Sequence, residues 1–313
     1  MVRALRVQTV RYGGEARGLL RMVRSVAAAT RQLDGEADGR TLTMAIGDCG
    51  GPEGPDALVG EAELTEARGI LEGAGILLDY VAFMRNMGHG AGQNALAERS
   101  GWTSGGRDVL VLVNPDTYLS PNCLVKLVGV LDDDSVGIAE ARQIPLEHPK
   151  SFDPVTGDTP WASGCLMALT ASVFQAVGGF EPAFFLYGDD VDLSWRVRLA
   201  GLRVRHVPEA VVFHDKELMV TGFPAPSLEE EYHAVLIRLL LGHRAERPDF
   251  VEQWLGWAGL RGAELHRRAA AEYLRRQAEG SLPATYREAL GVSEEEVASV
   301  TFFHEGEYAE HRF

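Results

Sequence analysis

A continuous apolar run, Val-Leu-Val-Leu-Val at residues 109–113, ends abruptly at Asn114-Pro115-Asp116. An apolar run without alternation is typical of a central strand that is buried on both faces of a sheet. Pro115 cannot donate a hydrogen bond to a neighbouring strand, so it ends the strand and turns the chain. Ligands of open α/β sheets gather at the carboxyl ends of the strands, which makes Asn114 and Asp116 candidate binding residues.

Short β-rich runs alternate with helical patterns throughout the first 140 residues. This alternation favours a parallel sheet that is covered by helices on both faces. The expected strands are 5–11, 41–47, 76–83, 108–113 and 136–140, and the expected helices are 15–32, 61–73, 90–99 and 121–131.

The second half of the chain changes character twice. Residues 141–160 are rich in Pro, Gly and Asp, which predicts a long loop. Beyond Pro224 the pattern becomes helical, with Gly and Pro between the helices. We therefore expect an α/β domain at 1–215, with a helical C-terminal extension at 216–313. The expected helices of this extension are 229–241, 250–277 and 285–290.

The charge of the chain restricts its ligands. It carries 30 Lys and Arg against 45 Asp and Glu, a formal net charge of −15. Proteins dedicated to nucleic acids show a basic footprint, so we expect no nucleic-acid partner. An acidic protein can still bind a polyphosphate if a metal ion and local donors offset the repulsion.

The three cysteines and the N-terminus bear on the compartment. Cys49, Cys123 and Cys165 are widely spaced, which is typical of buried free thiols in a reducing cytosol. The first residues lack the apolar segment of a signal peptide, and no apolar run approaches the roughly 20 residues of a membrane span. We expect a cytoplasmic protein, with peripheral contact at the inner membrane face left open.

Two adjacent carboxylates, Asp189 and Asp190, follow an aromatic run and a glycine. Asp192 is expected to open the helix that follows, with its carboxylate bound by backbone N–H groups, because acidic residues are favoured at helix N-termini. Capping does not account for two adjacent like charges. Their repulsion favours the protonated form of one carboxyl group, which suits a general base.

Asp116 and His214 are candidate metal ligands, because each follows a short apolar strand. A carboxylate at the edge of the sheet can hold a hard cation that also binds phosphate oxygens. Imidazole suits a mid-row divalent metal that is held alongside carboxylate and phosphate oxygens. A plain turn at 114–116 and a purely structural histidine are the alternatives.

Residues 161–215 resemble family 2 glycosyltransferases of the GT-A fold, particularly the bacterial rhamnosyl- and galactofuranosyl-transferase-like branch. The family's pattern there is Trp-x-Ser-Gly, an apolar strand, Gly-Gly-Phe-Asp-x-x-Phe-Phe-x-Tyr, an acid motif Glu-Asp-x-Asp-Leu and a terminal His. The residues in register are Trp161, Ser163, Gly164, Gly178, Gly179, Phe180, Phe184, Phe185, Tyr187, Asp190, Asp192, Leu193 and His214. Upstream, the family's segment Asn-x-Gly-x-x-x-Gly-x-Asn is matched by Asn86, Gly88, Gly92 and Asn94.

The resemblance implies an α/β GT-A fold, which is a Rossmann-like mixed sheet flanked by helices. It implies a nucleotide-sugar-binding half at 1–116 and an acceptor-binding half at 117–215. The implied activity is that of an inverting, metal-dependent hexosyltransferase of bacterial type. Such an enzyme transfers a sugar from a dTDP-, UDP- or GDP-sugar to an acceptor hydroxyl with Mg²⁺ or Mn²⁺. The acceptor is a polysaccharide, a lipid-linked molecule or a small molecule.

The resemblance also assigns roles to individual residues. Asp116 and His214 hold the metal, Asp190 is the catalytic base, and Asp189 orients the acceptor or the base. The implied donor-binding residues are Asp48, Arg85, Asn86, Gly88, Asn94, Asn114 and Asp116, and the implied acceptor-binding residues are Trp161, Ser163, Gly164 and Tyr187.

The sequence departs from the family pattern at several positions. Asn114 stands where a first Asp is usual, Asp189 replaces the usual Glu, and Gly-Asp-Cys-Gly-Gly at 47–51 replaces Asp-Asn-x-Ser. Tyr12 is a candidate for stacking on the nucleobase. These departures keep a second hypothesis open, a non-catalytic nucleotide-sugar-binding or scaffold protein of the same fold. A nucleotidyltransferase is disfavoured, because no glycine-rich basic loop lies near the N-terminus.

The C-terminal extension contains clustered tryptophans and arginines at 250–280. An amphipathic helix that packs on the catalytic domain, or on a second copy in a homodimer, is the interpretation we favour. Docking to a membrane surface, where a lipid-linked acceptor would lie, is the alternative.

Overall fold

The computed structural model describes residues 4–14, 16–33, 41–51, 57–99, 107–148, 150–216 and 227–301. Its strands are Ala4–Arg11 (β1), Thr41–Asp48 (β2), Ile76–Ala82 (β3), Val109–Val113 (β4), Thr117–Leu119 (β5), Val136–Ile144 (β6), Leu166–Thr170 (β7) and Arg203–His214 (β8). Its α-helices are Ala16–Thr30 (α1), Glu61–Glu72 (α2), His89–Arg99 (α3), Cys123–Val130 (α4), Ala171–Ala176 (α5), Asp189–Leu199 (α6), Leu228–Arg244 (α7), Pro248–Leu260 (α8), Glu264–Glu279 (α9), Tyr286–Leu290 (α10) and Glu294–Val300 (α11).

The eight strands form one mixed sheet in the order β3-β2-β1-β4-β7-β6-β8-β5. The first four strands in this order, β3, β2, β1 and β4, are parallel to one another, as the alternation of strands and helices predicts. Strand β7 is antiparallel to both β4 and β6, and β5 is antiparallel to β8. The expected mixed sheet with flanking helices is therefore confirmed.

Strand β4 is buried on both faces, as its continuous apolar run predicts. Val109, Val111 and Val113 belong to one apolar cluster, and Leu110 and Leu112 belong to another. Successive side chains of a strand point to opposite faces, so β4 joins the cores on the two sides of the sheet. Its carboxyl end is consequently a rigid place from which to present Asn114 and Asp116.

Helix α6 begins earlier than expected, because Gly188 at its N-cap adopts a left-handed conformation with φ of 74°. Asp189 and Asp190 are its first two residues, and the prediction that Asp192 opens the helix is wrong. Among the residues that the structure describes, no backbone N–H group donates to the Asp192 carboxylate. That carboxylate is bound instead by Arg196, Arg244 and Tyr286.

The C-terminal helices share an apolar cluster with the segment that carries the acid pair. Phe184, Val191 and Trp195 pack there with residues of α7, α9 and α10. The single helix expected at 250–277 is two helices, which are interrupted near Gly262. A side chain at Gly262 would approach the carbonyl oxygen of Ala258 to 2.6 Å, so the tight turn requires glycine. The division of the chain at residue 215 stays a prediction.

The buried ion network around Asp192 generates a prediction about stability. Arg244 is 2% exposed and its Nη1 lies 2.9 Å from Asp192 Oδ1. We expect Arg244→Met to lower the free energy of unfolding by about 3 kcal/mol, because it removes one partner of a buried ion pair. Urea denaturation followed by circular dichroism measures this change.

The matched control is Arg247→Met. Arg247 is 44% exposed and pairs with Asp249 at the surface, so its loss should cost less than about 1 kcal/mol. Equal losses for the two variants would contradict a structural role for the Asp192 network.

Candidate active site

Asp116 and His214 are brought together by the pairing of β5 with β8. Thr117 lies opposite His214 in the antiparallel register, and the Asp215 N–H donates to the Asp116 carbonyl oxygen at 2.9 Å. The side chains meet with 3.3 Å between His214 Nε2 and Asp116 Oδ2. Two residues almost one hundred positions apart thus share the carboxyl edge of the sheet.

Gln143 on β6 orients the His214 ring. Its Oε1 lies 2.9 Å from His214 Nδ1, and an amide oxygen can only accept a hydrogen bond. The Nδ1 atom therefore carries a proton, and Nε2 is directed at Asp116. Metal-binding histidines commonly have their second nitrogen bound in this manner.

The pair of facing atoms needs a positive charge between them. A lone pair on His214 Nε2 would repel the Asp116 carboxylate unless a proton or a metal cation lay between the two. Burial raises the pKa of Asp116, but the hydrogen bond and charge of His214 and the charge of Lys216 outweigh it and hold that pKa below its usual value. Asp116 is therefore ionised at neutral pH, as a metal ligand must be.

These two side chains fit a cation that takes its other ligands from elsewhere. Within the described ranges, no cluster of three or more His, Cys, Asp or Glu side chains could hold a metal ion. Mg²⁺ and Mn²⁺ bind through few carboxylates when phosphate oxygens and water complete the shell. Asp116 with His214 supplies a mixed oxygen and nitrogen donor set of that kind.

The acid pair lies in the first turn of α6, and both side chains are buried. Asp190 Oδ2 accepts the Gly164 N–H at 3.0 Å, and its Oδ1 accepts the Val191 N–H at 2.9 Å. Asp189 Oδ2 lies 2.6 Å from His89 Nδ1. A histidine on another helix therefore faces one of the two adjacent carboxylates.

The segment 163–165 links the acid pair to the end of β4. The Gly164 N–H donates to Asp190, and the carbonyl oxygen of the following residue, Cys165, accepts the Asn114 N–H at 2.9 Å. The Cys165 thiol also contacts the Thr117 hydroxyl, with 3.1 Å between Sγ and Oγ1. Gly164 and Cys165 therefore connect Asp190 to Asn114 and Thr117, which lie on either side of Asp116.

A buried cluster of charged residues, Glu140, Lys150 and His206, contacts this segment. Lys150 Nζ lies 2.5 Å from Glu140 Oε2 and donates to the Trp161 carbonyl oxygen at 2.7 Å. The same carboxylate accepts the Ser163 N–H at 2.7 Å, and His206 Nδ1 lies 2.9 Å from Glu140 Oε1. Lys150 thereby links the loop after β6 to β6 itself, through its ion pair with Glu140.

The structure does not present Trp161 as an acceptor platform. Its side chain is 6% exposed, and Lys150 Nζ lies 4.1 Å from the centre of its ring. Trp161 is a core residue of the cluster that joins α6 to the C-terminal helices. Tyr187, which precedes Gly188, itself has a left-handed backbone conformation with φ of 64°. It stays a candidate for contact with the acceptor.

The segment at 85–94 packs against the acid-pair segment. Gly88 has φ of 73°, and a side chain there would come within 2.3 Å of the Phe185 carbonyl oxygen. Asn94 braces this contact, because its side chain donates to the Phe180 carbonyl and accepts the Phe180 N–H. Arg85 and Asn86 are exposed and stay predicted donor-binding residues.

Asp48 is enclosed by the protein. Its carboxylate accepts hydrogen bonds from Arg11, Tyr80 and the backbone N–H groups of Gly50 and Val59, and the side chain is fully buried. A direct contact with a nucleobase or ribose is therefore not available in this conformation. Asp48 orders the strand ends around it, whereas Tyr12 nearby is 48% exposed and stays a candidate for base stacking.

Comparisons with known proteins agree with this architecture. No protein-family model matches the chain. An N-acetylglucosaminyl-diphospho-decaprenol L-rhamnosyltransferase of Mycobacterium tuberculosis is 24% identical over 200 residues, which cover 50% of this chain and 65% of that protein. Rhamnosyltransferase WbbL of Escherichia coli is 39% identical over 54 residues, covering 17% of this chain and 20% of the relative.

The fold comparison decides the architecture. The chain matches the crystal structure of GalNAc-T7 with UDP, GalNAc and Mn²⁺ at a TM-score of 0.56 and 14% identity, over 95% of this chain and 58% of that one. This chain has the GT-A fold and is similar in sequence to rhamnosyltransferases. The chain spans about two thirds of the length of the first curated relative, so its own activity and substrates remain to be proposed.

Several residues of this GT-A site were not identified from the sequence. His89 lies inside the matched glycine segment, but at a position that the motif leaves unspecified. Gln143, Glu140 and Lys150 lie on β6 and in the loop after it, where no pattern marks them. Only the pairing of β6 with β8 brings Gln143 to His214, so the tertiary structure was needed to find it.

The Gln143 contact generates a prediction about metal affinity. We expect Gln143→Leu to weaken Mn²⁺ binding in the presence of UDP by about 10- to 100-fold, because His214 loses the partner that orients its ring. Isothermal titration calorimetry measures this affinity. Gln175→Leu is the matched control, since Gln175 is exposed on α5. Equal affinities in the Gln143 variant and the control would contradict the orienting role.

Proposed function

We propose that the protein is an inverting glycosyltransferase that uses a nucleotide-diphosphate sugar and a divalent cation. The observation that carries this proposal is that two consecutive residues contact both groups: Gly164 donates to Asp190, and Cys165 contacts Asn114 and Thr117, which lie on either side of Asp116. A site for a cation and a pair of carboxylates suit the two ends of a displacement reaction. One end stabilises the departing diphosphate, and the other end removes a proton from the attacking hydroxyl.

The metal end would be formed by the chain's own Asp116 and His214. A bound Mg²⁺ or Mn²⁺ would supply Lewis-acid stabilisation to the departing phosphate oxygen. Gln143 fixes the histidine tautomer, and the low pKa of Asp116 keeps a carboxylate at the edge of the sheet. Asn114 presents an amide rather than a second carboxylate, which spares the diphosphate one negative neighbour.

The acid end would be served by Asp190 as general base. The acceptor oxygen forms a bond to the anomeric carbon while the bond from that carbon to the phosphate oxygen breaks. The acceptor proton passes to Asp190, and the electron pair of the broken bond leaves with the diphosphate. The Gly164 and Val191 N–H groups hold the Asp190 side chain in one orientation, so the base is positioned before the acceptor arrives.

The identity of the substrates is proposed from the relatives. Their names include an L-rhamnosyltransferase that acts on a decaprenol-linked substrate, so we propose a rhamnosyl donor and a lipid-linked acceptor as the first pair to test. Across the described residues, none of the helices has both the length and the apolar character that spanning a bilayer requires. Cytoplasmic location, peripheral membrane contact and a homodimer through the C-terminal helices stay predictions.

A non-catalytic nucleotide-sugar-binding protein is the second hypothesis. The observation that favours it is Asn114, which leaves the end of β4 with one carboxylate. Such a protein would bind the nucleotide sugar without cleaving it.

A panel of nucleotide sugars separates the two hypotheses. We expect one of dTDP-rhamnose, UDP-glucose, UDP-galactofuranose and GDP-mannose to be hydrolysed slowly in the presence of Mn²⁺ or Mg²⁺, because water can replace the acceptor. Chelation should stop the reaction, and added metal should restore it, since the diphosphate otherwise meets only negative charge at Asp116. Released nucleotide is measured by liquid chromatography.

The outcomes of this panel are distinct. Full turnover in the presence of chelator would overturn the metal assignment. Tight binding of a donor, without hydrolysis or transfer to any acceptor, would favour the non-catalytic protein.

The acid pair generates a prediction about catalysis. Asp190→Asn keeps the shape of the side chain but removes its basicity, so transfer should fall by about 10²- to 10⁴-fold. Donor affinity should stay within a few-fold of the wild type, because the base contacts the acceptor. Initial rates and calorimetry with the donor measure the two quantities, and the melting temperature controls for folding. Near-normal turnover in Asp190→Asn with a complete loss in Asp189→Asn would reverse the assigned roles.

A further inference from the structure

His89 is tied twice to the segment that carries the acid pair. It is the first residue of α3, and its backbone N–H donates to the Phe185 carbonyl oxygen at 3.0 Å. Its Nδ1 lies 2.6 Å from Asp189 Oδ2, with side-chain exposures of 15% and 4%. The edge contact with the Phe180 ring, at 5.4 Å between centroids, holds the imidazole plane. A pair this buried has a fixed geometry.

The imidazole also lies close to Asp190. A methyl group added at Gly164 would lie 3.5 Å from His89 Cε1 and 3.7 Å from Asp190 Oδ2. The histidine ring and the Asp190 carboxylate therefore face the same glycine from two helices. One cationic ring in this position can influence both carboxylates of the pair.

The neighbouring charged groups pair among themselves. On the far side of α6, Asp192 is bound by Arg196 and Arg244. Next to residues 161–163, the charge of Glu140 is met by Lys150 and by His206. These networks carry their own compensation, which leaves His89 as the counter-charge that the described contacts assign to Asp189.

We propose that His89 is a positioning residue that acts through Asp189, holding a positive charge against it so that the acid pair carries one net negative charge. The family pattern leaves position 89 unspecified and has Glu where this chain has Asp189. The effect on transfer rests on the proposed function, whereas the charge state of His89 does not.

The balance of effects on the imidazole supports this assignment. Burial lowers the pKa of His89, but the charges of Asp189 and Asp190 and the hydrogen bond to Asp189 outweigh it, and the net pKa is raised. The imidazolium therefore persists to a higher pH than that of an unperturbed histidine. Its charge is lost as the pH rises through this raised value.

The direct test measures the titration of His89 by NMR in the substrate-free protein with labelled histidine. The His89 signal is assigned by its loss in His89→Gln. We expect its midpoint above the ordinary value for histidine, about 6.5, and a shift to lower pH in Asp189→Asn. Asp134→Asn is the matched control, since Asp134 is an exposed partner of Arg107, and it should leave the midpoint unchanged. A midpoint at or below the ordinary value in the wild type overturns the proposal.

The catalytic consequence is measured from the rate of sugar transfer as a function of pH. The acid limb is the part of this profile in which the rate falls as the pH is lowered. His89→Gln leaves two negative charges, so the limb should move up by about one pH unit. Asp189→Asn should move it down, and the double variant should return it near the wild type. Limbs that coincide in all four proteins overturn the role in catalysis. Absence of turnover with every donor overturns the proposed function, while the NMR result still decides the charge of His89.

Discussion

The buried carboxylate of Asp192 is the constraint on which much of the site depends. A fully buried charge is stable only when it is paired and hydrogen-bonded, and Asp192 obtains its partners from three helices. Arg196 belongs to α6, Arg244 to α7 and Tyr286 to α10. The first turn of α6, which carries the acid pair, is therefore oriented by the C-terminal helices as much as by the sheet.

The predictable part of the fold followed from patterns with a local cause. The apolar run at 109–113 identified a strand buried on both faces, and the alternation of strands and helices identified the parallel half of the sheet. The pairing of Asp116 with His214 also follows from simple rules, because Asp116 follows β4 and His214 ends β8 at the same edge of the sheet. Positions of this kind are visible in a sequence, since strand ends and turn residues leave local signals.

The unpredicted part depends on contacts between distant segments. Asp48 was expected to face a ligand, but Arg11 and Tyr80 enclose its carboxylate. Trp161 was expected to bind the acceptor, but its side chain is buried and Lys150 Nζ lies 4.1 Å from the centre of its ring. In both cases another side chain encloses or covers the group that was expected to meet a ligand. Periodicity and turn chemistry carry no information about such partners, so only the assembled sheet could show them.

The short strand β5 gives the two proposed metal ligands a property of their own. It contains three residues at the edge of the sheet and is paired with β8 alone, and Asp116 and His214 stand at the same end of this ladder. Short edge strands open locally at a lower free energy than the core does. A ligand that bridges the two residues would stabilise the pairing of β5 with β8. Protection of the β5 amides from hydrogen exchange would therefore rise with occupancy of the site.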